Sequence, residues 1–228
     1  MLLAIDIDVI THYLAGIITP GSILIPIGLA IFNYRHLNMG LKTILFYLII
    51  SGSLNLWAIY ESIHHHNNLY ILHIYTIVEF LMLMTYFILT LDHKAKKMIL
   101  VSKIIWVIFP VICVINLFFF QNYAENNSNV RSIEALIFMI YCFNYFYHSS
   151  DHDEIRSWGS NSLNWINAGL LIYFSGSIFL FAFANFIISL NLETSLKIWV
   201  LVDILIILLY IFIALGFSKC RKLAISMY

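Results

Sequence analysis

Seven apolar stretches, each about long enough to cross a lipid bilayer, occupy almost all of the 228 residues of this chain. The hydrocarbon core of a bilayer is about 30 Å thick, so a spanning helix needs about 20 mostly apolar residues. Because lipid offers no hydrogen-bond partner to a backbone N–H or C=O group, such a stretch crosses the membrane as a helix. The pattern predicts an all-α membrane protein with seven transmembrane helices in one bundle, and no separate soluble domain.

Composition agrees with this fold class and narrows the range of partners. Hydrophobic residues make up 62% of the chain and charged residues 11%, whereas about 25% of an average globular protein is charged. The formal net charge is zero, and no basic run is interleaved with aromatic residues, which excludes nucleic acid as a partner. Three isolated cysteines are interpreted as packing residues: Cys113, Cys142 and Cys220.

The apolar runs and their polar interruptions give the boundaries of the predicted spans. The first span contains two prolines and is either kinked within the bundle or a broken, short helix. The polar, Asn-rich segment 121–129 is predicted to be a loop. No repeat or linker divides the chain, so residues 1–228 form one domain. The predicted spans cover about 12–33, 43–63, 69–90, 98–120, 132–149, 164–189 and 195–217.

The basic residues predict the orientation, because Lys and Arg are retained on the cytoplasmic side. Ten of the twelve follow odd-numbered spans, and only Arg131 and Lys197 fall on the other side. The N-terminus is therefore predicted outside and the C-terminus in the cytoplasm, in the plasma (inner) membrane. Residues 1–14 hold Asp6 and Asp8 but no basic residue, which is the wrong charge for a cleavable signal peptide, so the first span is expected to direct insertion. The ten are Arg35, Lys42, Lys94, Lys96, Lys97, Lys103, Arg156, Lys219, Arg221 and Lys222.

Several ionisable side chains lie inside the predicted spans, in their outer halves. An acidic or basic group there costs about 2.5–3.5 kcal/mol on insertion scales, so it usually faces a bundle interior or a cavity and marks function. Arg131 precedes Glu134 by three residues on one helix face and could neutralise one carboxylate. The others need protons, a metal ion or hydrogen bonds. This group comprises Glu61, His73, Glu79, Glu134 and Asp203.

Helical spacing places hydroxyl and amide side chains on the same faces. The faces predict a polar pocket that opens outward between spans two, three, five, six and seven. For any single Tyr, Ser or Asn, the alternative is a hydrogen bond that joins helices, worth about 0.6 kcal/mol. The predicted ligand-binding residues are Glu61, His73, Tyr75, Glu79, Arg131, Glu134, Tyr141, Tyr173, Ser177, Asn185 and Asp203.

No sequence motif identifies a catalytic centre or a cofactor. GxSxG, HExxH, P-loop and dinucleotide fingerprints are missing, so no catalytic residue is assigned and no cofactor is expected. The run His64 to His66 is interpreted as a solvated turn, because adjacent histidines cannot all face one ion from a regular element. A weaker alternative is a metal ion, such as zinc, held by His73, Glu79, Glu134 and Asp203.

Two known seven-helix architectures resemble the predicted one only distantly. Microbial rhodopsins hold retinal on a lysine in the last helix, but here residues 198–217 contain Asp203 and no lysine, which excludes a retinal Schiff base. The adiponectin-receptor and alkaline-ceramidase superfamily places a histidine pair of its zinc site in the last helix. The last helix of this chain has no histidine, so the chain differs from this superfamily at the metal ligands themselves.

A closer resemblance covers nearly the whole chain and rests on four segments. They are IPIGLAIFNYRHL (25–37), NNLYILHIYTIVEFL (67–81), RSIEALIF (131–138) and WINAGLLIYFSGSIFLFAFAN (165–185). On these segments the chain resembles an uncharacterised bacterial family of seven-helix integral membrane proteins that often occurs beside sensor histidine kinases. The resemblance implies the fold and a signalling partner, but no particular activity.

These observations favour a receptor-like sensor over an enzyme. The hypothesis is a protein that binds a small or lipid-like ligand in the outward-facing pocket and signals through a partner protein such as a sensor kinase. Membrane lipids surround it, and a homodimer is plausible. Two alternatives stay open at this point: a proton-coupled transporter that uses the carboxylates as a relay, and a metal-dependent membrane lipid hydrolase.

Overall fold

A computed structural model describes residues 13–91, 96–149 and 158–225 of the chain. Every regular element in these ranges is a helix, which confirms the all-α prediction. The predictions for the N-terminal Asp6 and Asp8 lie outside the described residues. The long helices are α1 (Leu14–Phe32), α2 (Met39–Ile63), α3 (Leu69–Thr90), α4 (Lys96–Phe119), α5 (Ser128–Ser149), α6 (Ser162–Ala182) and α8 (Leu192–Ile225), and the short α7 (Ala184–Ser189) follows α6.

Six helices in the described ranges are long and apolar enough to cross a membrane, so the chain is a multi-pass membrane protein. They are α1, α2, α3, α4, α6 and the Glu193–Cys220 part of α8. Helix α5 has 22 residues but is not among the six. Its polar residues, which include Arg131 and Glu134, lower its hydropathy. Six of the seven predicted spans therefore meet this criterion.

Side-chain caps explain two helix starts that lie earlier than predicted. Helix α2 begins at Met39 because the Asn38 Oδ1 atom accepts a hydrogen bond of 2.9 Å from the Leu41 backbone N–H. Helix α6 begins at Ser162 because the Asn161 side chain accepts from the Leu163 N–H at 3.0 Å. Such caps satisfy N–H groups that have no partner within the helix. Both caps lie on polar residues just outside the apolar runs that defined the predicted spans.

Helix α1 is long enough to span but irregular. A π-helical turn over Leu14–Ile18 leads into a short α-helical segment, and the helix is interrupted at Ile23 before it continues as Leu24–Phe32. Pro20 and Pro26 each lack the N–H that would bond to the preceding turn, which accounts for the irregularity. Of the two sequence-based alternatives, the structure has the longer, interrupted helix.

The long helices pack in two groups. Helices α2, α3 and α4 form the first group, and α1, α5, α6 and α8 form the second, with extensive contacts inside each group. Contacts between the groups are sparse and run mainly from α3 and α4 to α5, and from α1 to α2. We call the boundary between the two groups the seam.

The seam and the contact between α6 and α8 are packed in different ways. At the seam, the Phe138 ring of α5 packs against Phe80 and Phe87 of α3, with ring centroids 5.3 and 5.9 Å apart. Glycine instead brings α6 and α8 together, since a Cβ atom at Gly169 would lie 2.6 Å from the Phe212 Cβ. Small residues allow such close approach between membrane helices. The seam is therefore joined by large side chains and the α6–α8 contact by backbone proximity.

Candidate functional site

A buried ion cluster crosses the seam. The Arg131 guanidinium of α5 forms an ion pair with the Glu79 carboxylate of α3, and its Nη1 atom lies 3.4 Å from the Glu134 Oε2 atom one turn along α5. The exposed fractions of the three side chains are 7% for Arg131, 1% for Glu79 and 0% for Glu134. Charges buried to this degree are costly unless they are paired and hydrogen-bonded. The buried charge of Arg131 is thus paired with carboxyl groups inside the bundle.

Tyrosine hydroxyls complete the cluster and bring α2 and α6 into it. The Glu79 Oε1 atom accepts hydrogen bonds from the hydroxyls of Tyr47 on α2, at 2.7 Å, and Tyr75 on α3, at 3.2 Å. The Arg131 Nη2 atom donates to the Tyr173 hydroxyl of α6 at 2.9 Å. The guanidinium also lies over the Tyr75 and Phe181 rings, 5.1 and 4.6 Å from their centroids, a favourable cation–π arrangement.

The two carboxylates are not equivalent. Glu79 accepts from Arg131 and from two tyrosine hydroxyls. Glu134 has one long contact at 3.4 Å, and its Oε1 atom has no hydrogen-bond partner within the described ranges. Glu79 is therefore the carboxyl group with several close partners, and Glu134 is the one with few.

A cavity of about 330 Å³ lies directly against the cluster, between α2 and α3 on one side of the seam and α6 and α8 on the other. Its floor is polar, and most of its wall is apolar. It extends to Asn68 and Asn126, where α3 and α5 begin. We call it the binding cavity. The floor consists of Tyr47, Ser51, Tyr75, Arg131, Tyr173 and Tyr210, and the apolar wall includes Leu54, Leu69, Leu72, Trp199, Val202 and Ile206.

The segment predicted as a loop, 121–129, is hydrogen-bonded into the end of the bundle. The Asn127 side chain donates to the Thr76 hydroxyl of α3 at 2.7 Å. The Asn185 side chain of α7 donates to the Asn126 carbonyl at 3.0 Å and accepts from the Asn126 N–H at 3.1 Å. The His73 Nε2 atom lies 3.1 Å from the Glu125 carbonyl oxygen. His73 and Asn185, both predicted ligand-binding residues, thus hold this loop.

Four other predicted residues also lie away from the cluster. Glu61, at the end of α2, contacts the exposed His66 ring at 2.9 Å. The Tyr141 hydroxyl is 2.6 Å from the Ser102 hydroxyl of α4, and the Ser177 hydroxyl donates to the backbone of its own helix at 2.6 Å. Asp203 faces Thr19 of α1 rather than the binding cavity. The structure therefore brings together five of the eleven predicted residues: Tyr75, Glu79, Arg131, Glu134 and Tyr173.

The described residues also bear on the metal hypotheses. No group of three or more His, Cys, Asp and Glu side chains lies close enough to hold a metal ion within the described ranges. His73, Glu79, Glu134 and Asp203 are accordingly not gathered around one point. In the histidine run after α2, His65 has a left-handed φ of 59°, typical of a turn, and the His64 Nδ1 atom is 2.8 Å from the Tyr60 carbonyl oxygen.

Sequence reasoning missed several residues of the floor. Tyr47, Ser51, Leu54 and Ala58 line the binding cavity from α2, and their spacing of three to four residues is that of one helix face. Glu61, the α2 residue that was predicted to bind a ligand, lies three residues beyond Ala58 but contacts His66 instead of the binding cavity. Tyr210 of α8 was also missed, because the residues around it, 204–217, are almost all apolar and their sequence shows no preferred face.

Comparison of the chain with models of protein families, with curated proteins and with solved structures gives no match in any of the three. The resemblance to a bacterial seven-helix family therefore stays a prediction, and the functional argument rests on the geometry of the site.

Proposed function

We propose that this protein is a receptor-like membrane sensor that binds a small amphiphilic ligand in the binding cavity and passes the occupancy of that cavity to a partner protein. The observation that carries the proposal is the position of the cavity. It lies on the seam and directly against the ion cluster that joins α3 to α5.

The shape and lining of the cavity suit a small ligand. Ligand pockets typically measure about 300–1,000 Å³ and combine a mostly apolar lining with a few convergent polar groups. The binding cavity, at about 330 Å³, is at the small end of this range. Its hydroxyl groups lie together on the floor, so a ligand with one polar end and one apolar end fits both surfaces.

A ligand in this position competes for the hydrogen bonds of the cluster. The Ser51 hydroxyl donates to the Tyr75 hydroxyl at 3.2 Å, and Tyr75 in turn donates to Glu79. A polar group that accepts from either hydroxyl alters the partners of Glu79 and hence of Arg131. Such a ligand favours one arrangement of the two helix groups over another, which is how a bound molecule shifts a conformational equilibrium.

The proposal includes seven spans, with α5 as the fifth, and places the N-terminus on the outer side of the membrane. Helix α5 has 22 residues, which corresponds to about 33 Å, and it packs extensively along α6. Arg131 is buried, so it is not a loop charge. The outer side then carries Lys197 alone against ten basic residues on the inner side, which favours this orientation in the plasma membrane.

A pair of variants on α8 tests ligand binding. Ile206 lines the binding cavity, whereas Ile204 is 44% exposed and is not among the residues that line it. We expect Ile206→Trp to fill the cavity and Ile204→Trp to leave it open. Native mass spectrometry of the purified proteins should then detect a co-purified small molecule on the wild type and on Ile204→Trp, and none on Ile206→Trp. Equal ligand occupancy of the two variants would remove the cavity from the proposal.

The signalling part of the proposal rests on the short connections of the chain and on the family resemblance. Isolation of the tagged protein from its native membranes should recover a membrane or cytoplasmic kinase, in a yield that differs between wild type and Ile206→Trp. Recovery of a homodimer with no signalling partner would contradict this part alone and leave ligand binding in place.

A further inference from the structure

We infer that the ligand is an uncharged single-chain lipid that enters the binding cavity sideways from the bilayer, through the contact between α1 and α2. This inference rests on the proposed ligand binding and adds the chemical class of the ligand and its route. The polar head lies on the floor of the cavity, and the acyl chain follows the apolar wall and continues outside the cavity, between α1 and α2.

Two further cavities adjoin the binding cavity at this contact. The side groove, of about 360 Å³, lies between Pro20–Ile27 of α1 and 49–56 of α2 and shares Asn55 and Tyr210 with the binding cavity. The upper groove, of about 710 Å³, lies nearer the start of α1 and shares Asn55, Ala58 and Asn68 with it. The cavity wall toward α1 is therefore thin, and both grooves meet it there.

Asn55 stands where all three cavities meet. It lies eight residues before the end of α2, about 12 Å inside the helix end. Its side-chain amide is exposed and makes no hydrogen bond to any described residue. An amide without a partner at this depth in a membrane is costly. It is positioned to bond to a polar group that passes from the side groove to the floor of the binding cavity.

The packing of α1 allows this passage. Helix α1 lies mainly on α8 and makes few contacts with α2. A Cβ atom added at Gly16, Gly21 or Gly28 would meet no other atom within 4 Å, so these glycines leave open space along α1. With its interruption at Ile23, α1 is the span least constrained to stay against α2.

The charges at the floor select the head group. Arg131 is the one formally charged side chain among the described residues that line the cavity. Two carboxylates already face its guanidinium, so no unmatched positive charge remains to attract a carboxylate or phosphate head. The tyrosine and serine hydroxyls and the Asn55 amide can each donate and accept hydrogen bonds. This set matches a head with hydroxyl or amide groups, such as a monoacylglycerol.

A reversible crosslink tests the route. A Cβ atom at Gly52 would lie 3.9 Å from the Ile23 Cγ2 atom, so Ile23→Cys with Gly52→Cys brings two cysteines close to disulfide distance across the α1–α2 contact. The matched control joins α2 to α3 at the other end of the bundle through Gly40→Cys and Thr90→Cys, since a Cβ atom at Gly40 would contact the Thr90 side chain. Each protein is its own folding control, because reduction releases the crosslink.

The probe is 1-oleoylglycerol with a photoreactive diazirine in its acyl chain, added to the proteins in phosphatidylcholine nanodiscs. We expect labelling of residues on both walls of the side groove. We expect the initial labelling rate to fall at least tenfold when the α1–α2 crosslink forms and to recover on reduction, with no change in the α2–α3 control. Oleic acid that carries the same diazirine should label the wild type at least tenfold less.

The outcomes separate the route from the site. Labelling that is blocked by Ile206→Trp but indifferent to the α1–α2 crosslink would overturn the lateral route and leave the cavity as the binding site. Preferential labelling by oleic acid would overturn the uncharged head. Labelling by neither probe above the level of Ile206→Trp would overturn the inference as a whole, while a different co-purified ligand in the mass-spectrometric experiment would keep the proposed function.

Discussion

Replacement of Arg131 by methionine removes the cation of the buried cluster and leaves two carboxylates that face each other without it. Removal of one partner from a buried ion pair typically costs about 3–5 kcal/mol. Glu79 is 1% and Arg131 7% exposed, so solvent screens this pair very little. We therefore expect Arg131→Met to lower the free energy of unfolding by about 3–5 kcal/mol.

The two carboxylates should respond differently to conversion into amides. Glu79→Gln disturbs the acceptor of three hydrogen bonds, and we expect a loss of about 2–4 kcal/mol. Glu134→Gln keeps the size of the side chain and disturbs only a contact of 3.4 Å. We expect this variant to unfold within about 1 kcal/mol of the wild type.

The double variant Arg131→Met with Glu79→Gln shows whether the cluster acts as a unit. Residues that share an ion pair usually show interaction energies of about 0.5–3 kcal/mol, so the double variant should lose clearly less than the sum of the two single losses. The measurement is equilibrium unfolding of the purified proteins by dodecyl sulfate in mixed micelles, followed by tryptophan fluorescence. Equal losses for Glu79→Gln and Glu134→Gln, or additive losses in the double variant, would refute this reasoning.

Three further predictions concern packing, the 121–129 loop and orientation. Gly169→Ala should destabilise the protein by about 1–3 kcal/mol, because its Cβ would lie 2.6 Å from a side-chain carbon of α8, whereas Gly28→Ala, with nothing within 4 Å, should not destabilise it in the same unfolding assay. Asn185→Ala breaks both hydrogen bonds to the 121–129 loop and should speed proteolysis of that loop in the folded protein; an unchanged rate would contradict its role as a clamp. In intact cells, a membrane-impermeant maleimide should label Asn122→Cys and not Lys97→Cys, and the reverse result would invert the proposed orientation.

The sequence predicted the elements of the fold better than their rotation about their own axes. Apolar length alone was enough to find the helices, because a membrane leaves few other backbone conformations. Helical spacing was enough to place Arg131 beside Glu134, since residues three apart share a helix face. The pairing of Arg131 with Glu79 depends on how α3 and α5 face each other, which no spacing within one helix encodes.

Asp203 and Asn185 illustrate what local pattern could not predict. Asp203 was assigned to the pocket because a carboxylate in a span usually faces the bundle interior, but it faces Thr19 on α1. The surrounding residues of α8 are apolar on all sides, so the sequence did not indicate which side of the helix faces the bundle interior. Asn185 was predicted to line the pocket from span six, placed at 164–189, but α6 ends at Ala182 and Asn185 belongs to α7. The break at Phe183 between the two helices interrupts the regular helical spacing on which that prediction relied.

The contrast between the seam and the α6–α8 contact has a mechanical consequence. At Gly169 an added Cβ atom would lie 2.6 Å from the Phe212 Cβ atom, so α6 and α8 have no free space between them at this point. Across the seam, phenylalanine rings and one guanidinium span the distance between more widely spaced backbones, and such side chains can change rotamer without breaking a helix. We therefore expect α6 and α8 to move as one unit and the seam to deform more easily. A thinner or thicker bilayer, or an antibody fragment bound to one half, should alter the spacing of α3 and α5 before it alters that of α6 and α8.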